Sequence, residues 1–265
     1  MYFILFPFFV HCDSSRICKL DRSGLSRYIE PMQPWPIRIG KFLFRFRSFT
    51  PLPLIVLTVL FFKPLSAALL FTSGGLLLAL AGELVRVISV GFAGSDTSGR
   101  ENFLKAESLN TTGLYSLVRN PLYWGNGLIF AGLLTIYAQP LALILFVVFL
   151  FLQYHFIVLA EETFLHECYG QAYEEYCRRI RRWLPRFDRY SRPDQSFNFK
   201  KVLFKENDSC FNLLFAALLL LAYKEYLFLG RVSHWPFFAG AMILLIFFYA
   251  AVKYLKKKQP PAKNS

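Results

Sequence analysis

The 265-residue chain has few charged residues and lacks the cysteine spacings that bind metals or cross-link small domains. Asp, Glu, Lys and Arg make up only 18% of it. Its five cysteines are odd in number and share no CxxC spacing, so neither a disulfide framework nor a zinc site is indicated. The sequence also has no HExxH motif and no G-x-G-x-x-G turn after a strand. We therefore expect no protein-built metal site and exclude a Rossmann-type cofactor domain.

The chain is instead rich in long hydrophobic runs. Hydrophobic residues are 55% of the chain, and the longest runs reach about 17 to 20 residues, the length a helix needs to cross the hydrocarbon of a bilayer. The six runs are 52–62, 65–82, 127–138, 141–160, 211–223 and 236–252. Because a backbone in lipid must satisfy its own hydrogen bonds, continuous runs of this kind indicate helices. The sequence predicts an all-α, polytopic membrane helical bundle with about six transmembrane helices.

The distribution of basic residues predicts the topology of this bundle. Lys and Arg number 30 against 17 Asp and Glu, a net charge of +13. Most of them precede the first run, lie between the second and third, follow the fourth, or end the chain. Six spans with both termini cytoplasmic would place these segments on one side, as the positive-inside bias requires. We expect membrane lipids as partners, no nucleic acid, and no protein partner.

The N-terminal residues and one charged pair each allow two interpretations. Residues 1–50 form a basic segment that lacks the features of a signal peptide, and Met32 is an alternative start. Glu83 and Arg86 are three residues apart, on one face of the second span. They either pair with each other or line a ligand pocket, because charge inside a membrane needs a partner or a cavity.

Two segments next to the spans carry the strongest patterns. Asn120 precedes Pro121 and is therefore biased away from helical geometry, and irregular backbone at membrane depth is tolerated where it lines a cavity. The segment after the fourth span has apolar residues every three to four positions and is predicted to be a cytoplasmic amphipathic helix ending at Pro185. That helix either rests on lipid headgroups or covers a site. Its apolar positions are Leu165, Tyr169, Ala172, Tyr176, Ile180 and Trp183.

Together these segments resemble the isoprenylcysteine carboxyl methyltransferases and the related phospholipid methyltransferases. The first signature, Gly-x-Tyr followed by Arg-His-Pro-x-Tyr-x-Gly, is matched by Gly113, Tyr115, Arg119, Asn120, Pro121, Tyr123 and Gly125. The second, paired glutamates followed by Gly-x-x-Tyr-x-x-Tyr, Arg and Pro, is matched by Glu161, Glu162, Leu165, Tyr169, Gly170, Tyr173, Tyr176, Arg182 and Pro185. The resemblance covers roughly residues 76–187. Asn120 stands where the family usually has His.

The resemblance implies methyl transfer from S-adenosyl-L-methionine to a lipid-like or isoprenoid acceptor at the cytoplasmic membrane face. It implies catalytic roles for Arg182, which would orient the acceptor or the cofactor carboxylate, and for Glu162, which would pair with the cofactor ammonium. The implied cofactor-binding residues are Tyr115, Arg119, Asn120, Pro121, Tyr123, Gly125, Glu161, Glu162, Tyr173 and Tyr176.

The same resemblance divides the chain and leaves two alternative functions open. Residues 51–190 would form the membrane methyltransferase core, residues 191–209 a linker, and residues 210–265 two additional spans with a basic tail. One alternative is an NADPH-dependent membrane reductase of the sterol reductase type, which has a distantly similar Tyr and Pro pattern. The other is a non-catalytic lipid-binding membrane protein that keeps the fold.

Overall fold

A computed structural model describes residues 34–65, 68–94 and 108–258 of the chain. Most of the predicted N-terminal segment, with Met32, lies outside these ranges. Within them the chain forms helices and no strand, which confirms the all-α prediction. The helices are α1 Trp35–Phe46, α2 Leu52–Phe61, α3 Leu69–Phe92, α4 Pro121–Tyr137, α5 Pro140–Tyr169, α6 Gln171–Arg179, α7 Phe199–Leu229 and α8 Trp235–Lys257.

Four of the helices, α3, α5, α7 and α8, are long and apolar enough to cross a membrane. This supports a membrane protein. The other two predicted spans correspond to α2, which has 10 residues, and α4, which has 17. Both are shorter than the roughly 20 residues that a full crossing needs, so the number six stays a prediction.

Helices α3 and α4 pack backbone to backbone through glycines that face each other. A Cβ added at Gly75 would lie 2.6 Å from the carbonyl oxygen of Gly132, and one at Gly82 would lie 2.6 Å from that of Gly125. Small residues of this kind let helices approach closely in lipid, where no hydrophobic force drives their association. The pair α3–α4 therefore forms the rigid centre on which the site is built.

Helix α7 is attached to α3 and α4 by polar contacts over most of its length. Lys201 Nζ donates to the carbonyl oxygen of Ala93 at 2.8 Å, and Lys224 Nζ donates to that of Ile136 at 2.7 Å. Between these ends, Arg86 pairs with Glu206 at 2.7 Å, and Ser209 Oγ donates to Glu83 at 2.7 Å. Helix α8, by contrast, is largely exposed. The helix α7 is thus an integral part of the bundle.

The contacts of Glu83 and Arg86 correct one expectation. Although the two side chains lie on one face of α3, they do not form the mutual ion pair, because each reaches a different residue of α7. Arg86 also lines a cavity of the bundle. The alternative interpretation, a charged residue at a pocket, therefore holds for Arg86.

The structure corrects the predicted end of the amphipathic helix, which was expected at Pro185. Helix α5 continues past Glu161 to Tyr169, and the backbone breaks at Gly170, whose φ of 50° suits glycine. The amphipathic helix is therefore the short α6, and it ends at Arg179 because the following backbone bonds to the 117–119 segment instead. The segment expected to be a linker is helical from Phe199 onward, where Asn198 Oδ1 caps α7 by accepting from Lys201 N at 2.8 Å.

Candidate functional site

The two signature segments lie side by side at one end of the bundle. Arg119 N donates to the carbonyl oxygen of Arg181 at 3.0 Å, and Arg186 N donates to that of Leu117 at 2.9 Å. Asn120 Nδ2 donates to the carbonyl oxygen of Arg182 at 3.1 Å. The side chain that replaces the family's usual His therefore ties one segment to the other. We call residues 115–125 and 161–185 together the signature end.

Side chains join the two segments as well. Tyr176 Oη donates to the carbonyl oxygen of Tyr115 at 2.7 Å, and Tyr123 Oη donates to Glu161 Oε1 at 2.8 Å. Asn120 has a non-helical backbone with φ −125° and ψ 57°, and Pro121 starts α4 without needing an amide donor. The predicted break at Asn120–Pro121 is thus present, and it borders a cavity.

The cavity has a volume of about 900 Å³, at the upper end of the range typical for ligand sites. Nine of the eleven predicted site residues line it. They are Tyr115, Arg119, Asn120, Pro121, Tyr123, Glu161, Glu162, Tyr173 and Tyr176. The two others, Arg182 and Gly125, are not among the lining residues. Arg182 instead donates two hydrogen bonds to Glu162. A Cβ at Gly125 would lie 2.5 Å from Arg86 Cγ, so this glycine makes room for α3 and its arginine.

Glu162 is held by two guanidinium groups. Its Oε1 lies 3.1 Å from Arg119 Nη1 and accepts from Arg182 Nε at 3.0 Å, and its Oε2 accepts from Arg182 Nη2. Burial is the largest influence and lowers the pKa of Arg119, but the neighbouring Glu162, Cys177 and Tyr173 together outweigh it, so that the pKa is raised. Arg119 Nε is buried and has no hydrogen-bond partner in the part of the chain that the structure describes. The cluster therefore carries net positive charge and one donor that a ligand could use.

Glu161, the next residue, has a different environment. Its hydrogen-bond partner is the neutral phenol of Tyr123, and the charged group that acts on it most strongly is Arg47, from the break between α1 and α2. The ring of Tyr123 lies 4.7 Å from that of Tyr154, centroid to centroid. Glu161 thus presents a carboxyl group inside the cavity, among aromatic rings.

Three tyrosines at the signature end remain neutral hydrogen-bonding groups. Burial raises the pKa of Tyr115, Tyr173 and Tyr176 well above that of a free phenol, and nearby groups, Glu162 beside Tyr173 and Tyr176 among them, raise it further. Their hydroxyls therefore stay protonated at physiological pH, and their rings give the cavity electron-rich faces that attract cations.

Sequence reasoning missed several polar residues of the cavity. Asn126 Oδ1 accepts from Arg86 Nη1 at 2.6 Å, directly after the end of the first signature, and Arg47 lies outside both signatures. Four more come from α7, in or next to the segment that was expected to be a linker. They are Lys205, Asp208, Ser209 and Asn212. The polar residues at the start of the fifth apolar run were the signal that could have found them.

The fold and the site define a polytopic membrane protein with a cavity that is polar at its signature end. Comparison with known proteins identifies its relatives. Residues 70–172 match the phospholipid methyltransferase family, a range that includes the whole first signature and the start of the second. The resemblance predicted from the two signatures is confirmed.

Two curated rice proteins, from Oryza sativa subsp. indica and subsp. japonica, share 30% identity with the chain over 113 residues. Each is described as a "Probable protein-S-isoprenylcysteine O-methyltransferase". The aligned region covers 42% of this chain and 59% of each rice protein. No solved structure matches the chain.

Proposed function

We propose that the protein transfers a methyl group from S-adenosyl-L-methionine to a lipid-like acceptor at the signature end. The observation that carries this proposal is that residues of both family signatures line the polar end of one cavity whose other end is apolar. Such a cavity suits a charged methyl donor and an amphiphilic acceptor together. The positive-inside bias of the basic segments supports placing the signature end and both termini at the cytoplasmic face.

The charges at the signature end fit the donor. S-adenosylmethionine carries a sulfonium, an ammonium and a carboxylate. Glu161 offers a carboxylate to a cation because a neutral phenol, not a guanidinium, is bonded to it, and the buried Arg119 Nε offers a charged donor to a carboxylate. The sequence prediction gave the ammonium to Glu162, but two arginines already balance that residue. We therefore assign the cation to Glu161.

The remaining residues contribute by orienting other side chains. Glu162 orients Arg119, and Arg182 holds Glu162 in place, so Arg182 is a positioning residue in this proposal. When bound, the donor supplies a methyl group on a sulfonium, which is already a good leaving group. Alignment of the reactants can therefore supply much of the catalysis, on the order of 7 to 11 kcal/mol. A carboxylate acceptor would need no general base.

Binding of radiolabelled S-adenosylmethionine to the purified protein tests the assignments. Arg119→Ala and Glu162→Gln should both weaken binding, while Arg189→Ala, at an exposed arginine outside the cavity, should not. Undiminished binding by the first two variants would remove the assignment of the donor's carboxylate to Arg119 and of the orienting role to Glu162. Stronger binding of NADPH than of S-adenosylhomocysteine would favour the reductase alternative.

A further inference from the structure

The cavity changes from polar to apolar along one face of α4. Its lining residues on this helix are Tyr123 and Asn126, then Ile129, Phe130, Leu133, Leu134 and Tyr137. Consecutive members are three or one positions apart, which keeps them on one face, and the fourteen steps from the first to the last, at 1.5 Å each, span about 21 Å. Below Asn126 the first polar group on this face is the phenol of Tyr137.

The cavity-lining residues of α7 also change from polar to apolar, at the same depth as those of α4. Its lining residues are Lys205, Asp208, Ser209 and Asn212, followed by Leu213, Phe215, Ala216 and Leu220. The two helices run in the same direction, because Arg86 links Glu206 of α7 to Asn126 of α4 and Lys224 bonds to the carbonyl oxygen of Ile136. The polar and apolar parts of both helices therefore form two continuous zones.

Hydrogen bonds fix the far end of the apolar zone. Tyr137 Oη donates to the carbonyl oxygen of Phe62, just after α2. Leu65 N donates to the carbonyl oxygen of Ala138 at 3.1 Å. Ile55 and Val59 of α2 line the zone on another side. These contacts hold Tyr137 at the last lining position of α4. We call its ring the floor of the apolar zone and treat it as the limit of that zone.

We infer that the apolar zone holds a single hydrocarbon tail of the methyl acceptor and that the floor at Tyr137 limits the tail to about a dozen main-chain carbons. This rests on the proposed function. Asn126 and Tyr137 are eleven residues apart, about 16 Å along the helix, and an extended chain of C–C bonds near 1.5 Å advances about 1.3 Å per carbon. Helices α2 and α7, both outside the family match at 70–172, would then select the tail.

The inference explains why selection should depend on length. Surrounding lipid is as apolar as the cavity wall, so moving a tail from bilayer to cavity gains little hydrophobic free energy. Close packing against a fixed floor can still discriminate between tails of different length. A tail that is too long must bend, or it displaces the polar head of the acceptor from the polar zone. Tail length, not overall hydrophobicity, is therefore the property that this wall recognises.

Equilibrium dialysis of N-acetyl-S-alkylcysteines with linear chains of 4 to 18 carbons tests the inference. The full chain is kept in amphipol, with an amphipol-only correction for partitioning. Affinity from water should rise about fourfold per buried methylene, the equivalent of 0.8 kcal/mol, and stop rising near a dozen carbons. A matching series of polyprenyl thioethers distinguishes linear, acyl-like tails from isoprenoid tails. The series that binds more tightly at equal chain length shows which kind of tail the site prefers.

We call the chain length at which affinity stops rising the break. The variant Ala216→Phe should move the break to about five carbons, because Ala216 lies four residues, about 6 Å, beyond Asn212. Leu219→Phe, on an exposed face of the same helix, is the matched control and should keep the wild-type break. Val59→Phe, on the opposite wall, serves if Ala216→Phe does not fold. A continuous rise to 18 carbons in the wild type, or equal breaks in the cavity variants and the control, would overturn the inference.

The two proposals can fail separately. If S-adenosylhomocysteine does not bind while the tail series still shows its break, the methyl-transfer proposal fails and the tail site remains. If the cofactor binds and no break is seen, only the tail inference fails.

Discussion

Glu161 and Glu162 are consecutive residues of α5, yet they lie in different electrostatic surroundings. Glu162 is bound by the guanidinium groups of Arg119 and Arg182, whereas Glu161 accepts a hydrogen bond from the phenol of Tyr123. A helix turns about 100° between neighbours, so Glu162 meets the arginines and Glu161 meets Tyr123, although both side chains line the cavity. In the proposed function, Glu162 has a structural role and Glu161 a ligand-binding role.

Removing Glu162 should have the largest effect. In Glu162→Ala, two neighbouring guanidinium groups lose the carboxylate that separates them, at a cost of about 3 kcal/mol of stability. Unfolding in mixed micelles measures it. Glu174→Ala, at a half-exposed carboxylate of α6, should cost less than about 0.5 kcal/mol. Equal stability of the two variants would show that the arginines do not depend on Glu162.

Glu161→Gln should separate binding from stability. We expect the affinity for S-adenosylhomocysteine to fall about 10- to 100-fold, the equivalent of one charge-assisted contact, because the amide cannot pair with a cation. Stability should change by less than about 1 kcal/mol, because Tyr123 can still donate to the amide oxygen. Isothermal titration and melting of the same sample test this, with the exposed Glu167→Gln as control. A loss of stability matching that of Glu162→Ala would erase the distinction.

Tyr176→Phe should have a smaller effect on the contact between the two segments. It removes the hydrogen bond to the carbonyl oxygen of Tyr115 and should cost about 1 kcal/mol of stability, with a moderate loss of cofactor affinity. Tyr190→Phe, at an exposed tyrosine, should change neither quantity. Identical melting curves for the two variants would mean that α6 is held over the first signature by other contacts.

The smallest effect is expected for Trp124→Phe. This change removes the bond from Trp124 Nε1 to the carbonyl oxygen of Trp183, 2.7 Å long, at a side chain that is 39% exposed. Because solvent and headgroups can replace the lost partner, about 0.5 kcal/mol is the expected cost. Thermal melting should barely move, and a drop larger than that of Tyr176→Phe would contradict this ranking.

Local patterns in the sequence predicted the helical fold and the break before α4, whereas a site shared by the two segments was implied only by the resemblance to the methyltransferases. Continuous apolar runs specify helices in lipid, and Asn120–Pro121 specifies a break before α4. The end of α6 was not predictable in this way. The apolar spacing continues to Trp183, but the backbone after Arg179 bonds to residues about 60 positions earlier in the chain, and no local pattern records such a contact.

Local sequence patterns also could not predict the contributions of α7 and Arg47 to the cavity. Asp208, Ser209 and Asn212 look like the polar margin of an apolar run, and only the packing of α7 against α3 and α4 makes them part of a cavity wall. Arg47 looks like one of several basic residues before a span. Its position near Glu161 depends on the packing of α1 against α5, which sequence spacing does not encode.

The most direct test is the transfer of labelled methyl from S-adenosylmethionine into the organic extract of lipid vesicles that contain the purified full-length protein. The proposed function predicts label in a lipid-soluble product with the wild type and with Arg189→Ala, and a loss of most of that label with Glu161→Gln and Arg119→Ala. Extracts that stay unlabelled in vesicles made from the protein's native membrane lipids, or label that is equal in all four proteins, would contradict it.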